Sequence, residues 1–168
     1  MAHFPINHHL RPVYRTLAAL AGIYVLAFGI TALAKASGQG FFAQSDLPLA
    51  LGLHANRAFA ILSIVVGAVL VAGAIIGRNV DRWINLVGGV VFLLSGFVML
   101  VLLRTSLNYL GFTMTTCVVS FVIGMVLAVA GLYGQVGTVD QFDREEKLRH
   151  GEGPDHQRHR LLPSGQST

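Results

Sequence analysis

Four stretches of this chain, residues 16–34, 58–77, 83–103 and 113–134, contain no Asp, Glu, Lys, Arg or His, and each is about long enough to cross a bilayer. Their emptiness carries as much meaning as their length. Proton relays, ion pathways and haem ligation draw on ionisable or ligating side chains inside the membrane, and these stretches supply none. Charge is scarce throughout, at 12% of residues where a soluble domain has about a quarter, so a water-exposed surface could not be built from what remains. Cysteine is scarcer still. Cys117 stands alone, which excludes an intrachain disulfide, a paired-thiol redox motif and an iron–sulfur ligand set, and leaves a small packing residue.

Also missing are the signatures of soluble catalysis. No GxSxG, phosphate-binding GxxxxGK[ST], dinucleotide-binding GxGxxG or zinc-binding HExxH occurs, so no catalytic, cofactor or metal residue is assigned and the chain reads as a non-enzyme. Six histidines, His3, His8 and His9 near the start and His150, His156 and His159 near the end, lack the spacing of a zinc site. A net charge of +4 suits anionic phospholipids better than nucleic acid, because the basic residues flank the apolar stretches or alternate with acids.

What is present is an integral membrane protein. The composition predicts an all-α transmembrane four-helix bundle over residues 1–134, with a polar tail, 135–168, that holds a short amphipathic helix. In that tail Thr138 with Gln141 resembles a capping box, and residues 139–149 have helical composition up to Gly151. Insertion is favourable by roughly 0.3–0.6 kcal/mol for each large aliphatic or Phe residue, and no charge opposes it. Arg15 and Lys35, Arg57 and Arg78, and Arg82 and Arg104 bracket the first three spans, where they are expected to snorkel to headgroups. With both termini cytoplasmic, nine Lys and Arg lie inside and three, Lys35, Arg57 and Arg104, lie outside. That asymmetry predicts a multi-pass plasma-membrane protein with both termini inside. Arg11, Arg15 and the apolar stretch ending at Ala34 also fit a cleavable leader, but the stretch is long for a leader core, so it reads as a retained span.

Small residues mark where helices can approach. Gly22 in the first span, Gly67, Gly73 and Gly77 in the second, Gly88, Gly89 and Gly96 in the third, and Ser120, Gly124 and Ala128 in the fourth recur at one- or two-turn spacing. They are read as faces for packing within the bundle or for docking to other membrane subunits. A homo-oligomer is the alternative assembly. The long outer connection, 36–57, includes the apolar segment 47–53, too short to span and expected to rest on or dip into the outer leaflet. It is followed by His54, Asn56 and Arg57, which are read as a helix cap with a second role as an outer-face contact site. Thr115, Thr116 and Ser120 form a polar stripe that a solute path would use, although such hydroxyls can also bond their own helix.

The approach Leu51-Gly52-Leu53-His54-Ala55-Asn56, the run Asn85-Leu86-Val87-Gly88-Gly89, and Gly124 followed by Ala130-Gly131-Leu132-Tyr133-Gly134 resemble an uncharacterised actinobacterial family of small four-span integral membrane proteins. The resemblance covers about residues 14–134. It implies the bundle and the compartment, and carries over no catalytic residue. The function expected is therefore a non-catalytic accessory or assembly subunit of a larger membrane complex, an actinobacterial respiratory complex being one candidate, in contact with phospholipids and other integral membrane subunits. A small oligomeric transporter or channel for a neutral solute is the alternative.

Overall fold

In the computed structural model, residues 11–134 are described. The expected tail helix and the six terminal histidines lie outside them. Four long helices form, α1 (Arg11–Lys35), α2 (Arg57–Ile76), α3 (Arg78–Leu102) and α4 (Met114–Tyr133). At 1.5 Å per residue they are about 30–38 Å long, and all four are apolar enough to cross a membrane. They pack as an all-α bundle whose only strands among the described residues are two short ones, β1 (Leu49–Ala50) and β2 (Leu53–His54).

The bundle is two tightly fastened pairs. α1 lies chiefly against α2 and α3 against α4, whereas α1 touches α4 less and α2 touches α3 less again. Glycine explains the close pairs. A Cβ on Gly67 would lie 2.5 Å from the Leu26 backbone nitrogen, and one on Gly29 would lie 2.7 Å from that of Ile64, so α1 and α2 touch backbone to backbone. Across the second pair, a Cβ on Gly89 would lie 2.6 Å from the Ala128 nitrogen and one on Gly131 2.6 Å from that of Leu86. Lipid tails are as apolar as leucine, so these contacts gain their stability from dispersion at short range and not from the exclusion of water.

Two clusters of buried apolar residues form the core. Ala18, Val25, Leu70, Ile123, Leu127 and Ala130 form the one nearer the ends of α1 and α4 where the termini leave. Phe28, Ala32, Ala50, Leu53, Ala55 and Ala60 form the other, beneath the long connection. That connection departs from the expected surface segment. Leu49–Ala50 and Leu53–His54 pair as an antiparallel hairpin whose turn residues, Leu51 and Gly52, both have positive φ, as a tight two-residue hairpin turn requires. Alternation then buries Ala50 and Leu53 on the bundle while Leu49 and Leu51 stay exposed. Half of the apolar segment is thus a lid over the helices and only half can face a membrane surface.

The connection between the second and third spans also differs from expectation. Residues 78–82 are the first turns of α3 and not a loop, and the whole α2–α3 connection is Gly77. Its φ of +66° is a conformation that disfavours any other residue, so Gly77 serves the turn, and a Cβ there would also lie 2.8 Å from the Arg15 Nη2. Arg15 closes this end. Its Nε and Nη2 donate to the Ala74 carbonyl at 3.0 and 2.6 Å, and Nη2 lies 3.4 Å from that of Ile75, so the guanidinium caps α2 where its dipole is negative. Arg15 therefore binds a neighbouring helix end instead of snorkelling freely. Arg15→Ala should lower stability by about 1–2 kcal/mol, since charge-assisted bonds to otherwise unpaired carbonyls are lost. Thermal unfolding in detergent checks this, with Arg15→Lys restoring part of the loss.

Candidate functional site: a cleft between the second and third helices

The loose contact between α2 and α3 leaves a cavity of about 350 Å³, within the roughly 300–1,000 Å³ typical of small-molecule sites. It occupies the half of the bundle nearer the hairpin. Its walls are apolar and aromatic, with Phe28, Phe59, Phe92 and Phe112 contributing rings from all sides. Phe59 stands at the centre of that wall, its ring centroid 5.4 Å from that of Phe28 and 4.7 Å from that of Phe112. No Asp, Glu, Lys, Arg or His lines the cavity. Tyr24 completes the wall and its hydroxyl donates to the Leu51 carbonyl at 3.2 Å, which ties the cavity to the hairpin turn.

Hydroxyl groups supply the polarity. Ser63 on α2, Ser95 on α3 and Ser120 on α4 all line the cavity. Counting 1.5 Å per residue from the hairpin-side helix ends, the three lie at a common depth of about 9–10 Å. Ser63 returns its hydroxyl to the Phe59 carbonyl at 2.8 Å, and Thr116, one turn from Ser120, is 3.0 Å from the Thr113 hydroxyl. Ser95 and Ser120 have no hydrogen-bond partner among the described residues, although Ser120 is only 6% exposed. This alters the reading of two groups of residues. Ser120 belongs to the cavity and not to the glycine face it was grouped with. Thr115 is exposed on the outside of α4, so Thr115, Thr116 and Ser120 are not one stripe.

The small residues divide by role. Gly22 lies where a Cβ would be 2.9 Å from the Leu70 Cβ, and Gly124 where one would be 2.8 Å from the Leu93 Cγ. Ala128 is the backbone against which Gly89 sits. Gly73 faces the Ile84 side chain of α3, and Gly96 faces the Cys117 carbonyl and the Phe121 ring at 3.3 Å. Gly88 meets side-chain ends only, those of Leu70 and Leu127, which a Cβ would approach to 3.3 and 3.5 Å. The described partners of all these positions are within the same chain. Gly29 and Gly131 join them without having been singled out. Each lies seven residues after a glycine that was, Gly22 and Gly124, so the two-turn spacing that relates Gly89 to Gly96 in the third span would have found both.

Of the three polar residues at the start of α2, only part remains open to contact. Asn56 is completely buried. Its side-chain oxygen accepts from the Phe59 amide at 2.9 Å, capping α2, while its Nδ2 donates to the carbonyls of Ala43 at 3.0 Å and Tyr109 at 2.7 Å. One side chain thereby joins both hairpin-side connections to α2, and the proposed outer-face role for Asn56 is excluded by its burial. His54 is exposed, with Nδ1 2.8 Å from the Leu47 carbonyl. Arg57 is half-buried, and its Nε has no hydrogen-bond partner among the described residues.

A second polar pair lies at the opposite end. Asp81 and Asn85 are 4% and 3% exposed, and Asn85 Nδ2 donates to Asp81 Oδ1 at 2.6 Å. Asp81 occupies the first turn of α3, where a carboxylate is favoured by the helix dipole. Asp81 lies before the span expected at 83–103, and the start of α3 at Arg78 makes it part of the helix. Nearby in the chain's layout, Tyr14 and Tyr133 stack at 5.5 Å and join α1 to α4. Among the described residues no three His, Cys, Asp or Glu side chains come together as a metal site would need.

Comparison of the chain with family models, with curated proteins and with solved structures finds no match in any of the three.

Proposed function

We propose that the chain is a non-catalytic accessory or assembly subunit that seats a membrane-spanning partner on the outer surface of α3. The observation that supports this most is the bareness of that helix. Only 17% of its span is buried within the chain, against 33%, 33% and 44% for α1, α2 and α4. Val80, Trp83, Val87, Val90, Leu94, Phe97 and Val101 are all exposed, and they follow one another at alternating three- and four-residue intervals along the whole helix. That spacing keeps a seam facing a neighbouring helix over three heptads at a shallow crossing angle. The glycine faces are already filled from inside, so a partner has the bulky seam of α3 to pack against. We place the complex in the plasma membrane with both termini cytoplasmic, following the nine-to-three division of Lys and Arg. An actinobacterial respiratory assembly fits the resemblance noted above.

Transport of a neutral solute has weaker support. One turn beyond the cavity Leu70 and Leu127 are buried and close against Gly88, and neither lines it. The cavity is a pocket in one half of the bundle.

Combined substitution of Val90, Phe97 and Val101 by alanine removes the seam without touching the glycine crossings. Co-purification with the partner from gently solubilised membranes should fall at least tenfold while thermal unfolding of the isolated protein is unchanged. Unaltered recovery of the partner would show that α3 faces lipid only.

A further inference from the structure

We propose that the cleft between α2 and α3 binds a neutral lipid carrying a free hydroxyl or carbonyl oxygen, which enters sideways from the bilayer and hydrogen-bonds Ser95 and Ser120. This site adjoins the docking seam, sharing Leu94 with it, but rests on the cleft's own lining and not on the seam. Four features lead to this occupant. The volume, about 350 Å³, and the ring of phenylalanines suit a hydrocarbon body. The lining holds no basic side chain, so a lipid phosphate would have nothing to pair with there, and the guest carries none. The hydroxyls of Ser95 and Ser120 have no partner among the described residues, and Ser120 is nine-tenths buried, so an oxygen on the guest satisfies groups the protein leaves open. Finally, the lining residues Leu62 of α2 and Val91, Leu94 and Val98 of α3 are exposed on the apolar outer surface, so the cleft opens between these two helices where a bilayer component reaches it without crossing water.

Selectivity follows from depth. The serines lie about 9–10 Å below the hairpin-side helix ends, inside the hydrocarbon layer, where the glycerol region of an ordinary phospholipid does not descend. A diacylglycerol, whose head is one hydroxyl, can sink to that level. Thr116, one turn from Ser120 on α4, adds a further hydroxyl to the lining, one already paired with that of Thr113.

The test uses the full-length protein in phosphatidylcholine vesicles with diacylglycerol bearing a photoreactive group on one acyl chain, and phosphatidylcholine bearing the same group as comparison. Labelled peptides are mapped by mass spectrometry. The expected result is saturable labelling within residues 91–99 and 116–123, competed by unlabelled diacylglycerol and at least fivefold above the phosphatidylcholine probe. Combined Ser95→Ala and Ser120→Ala should lower it roughly tenfold, as loss of two neutral hydrogen bonds implies. Ser120→Leu should abolish it. The double alanine variant leaves the packing unchanged and so decides the matter if the leucine variant misfolds. Equal labelling by both probes, labelling that does not saturate, or labelling indifferent to the two serines would overturn the proposal. So would protection of the cleft by a partner helix in native membranes.

Discussion

Alanine at Gly89 should destabilise the bundle by about 1–3 kcal/mol net, whereas alanine at the adjacent Gly88 should be neutral or mildly stabilising. The two substitutions bring the same gain in helix propensity, about 1 kcal/mol, so their difference isolates packing. At Gly89 the new methyl would lie 2.6 Å from the Ala128 nitrogen, 2.9 Å from its Cα and 2.9 Å from the Gly124 carbonyl oxygen. All three are backbone atoms, and α3 and α4 must separate to admit it. Separation weakens the dispersion contacts of the whole crossing, which is the main force available between helices in lipid. At Gly88 the methyl meets only the ends of the Leu70 and Leu127 side chains, at 3.3 and 3.5 Å, so a shift of a few tenths of an ångström in one flexible side chain admits it and no backbone must move. Thermal unfolding of the two variants in the same detergent measures the contrast. Equal loss at both positions would mean that α3 is rotated from the orientation described. Gly124→Leu belongs to the severe class, because its first side-chain carbon already lies 2.8 Å from the Leu93 Cγ.

Replacing Asn56 by alanine should cost about 2–4 kcal/mol. The helix cap to Phe59 accounts for about 1 kcal/mol, and the carbonyls of Ala43 and Tyr109 each lose a buried donor worth about 1 kcal/mol or more. Asn56→Asp separates the two contributions. It keeps an acceptor for the Phe59 amide but turns both donations into oxygen facing oxygen, so it should be at least as damaging as alanine despite being an equally good helix cap. Asn56→Asp behaving like the native chain would show that capping is the whole role. The effect should also be local. Amide exchange should speed up in residues 43–56 and 105–113 well before it changes in α1 or the second half of α4, because those connections lose their common tie.

The spans themselves were legible because charge is excluded from hydrocarbon regardless of tertiary detail, and 16–34, 58–77, 83–103 and 113–134 each fall within a turn or two of a helix. Their ends were less so. Thr113 and Asn56 cap α4 and α2 by ordinary side-chain acceptance, which local pattern announces. Residues 78–82, polar and charged, read as a loop although a single glycine at φ +66° is enough to reverse the chain. Composition cannot distinguish a charged loop from the charged first turn of a helix, and the burial of Asp81 beside Asn85 was hidden with it. Glycine spacing located the crossings but not their partners. Gly67 and Gly73 lie six residues apart on one helix and face different neighbours, Leu26 on α1 and Ile84 on α3. The cavity was not legible at all. Ser63, Ser95 and Ser120 come from three helices, and nothing in any one span marks its serine as level with the other two.

The most direct test is native mass spectrometry after gentle extraction from the membrane in which the protein is made. The expected result is a stoichiometric complex with at least one other integral membrane chain, dissociated when the α3 seam of Val90, Phe97 and Val101 is replaced by alanine. A lone monomer, or an oligomer of this chain alone, would contradict the accessory role.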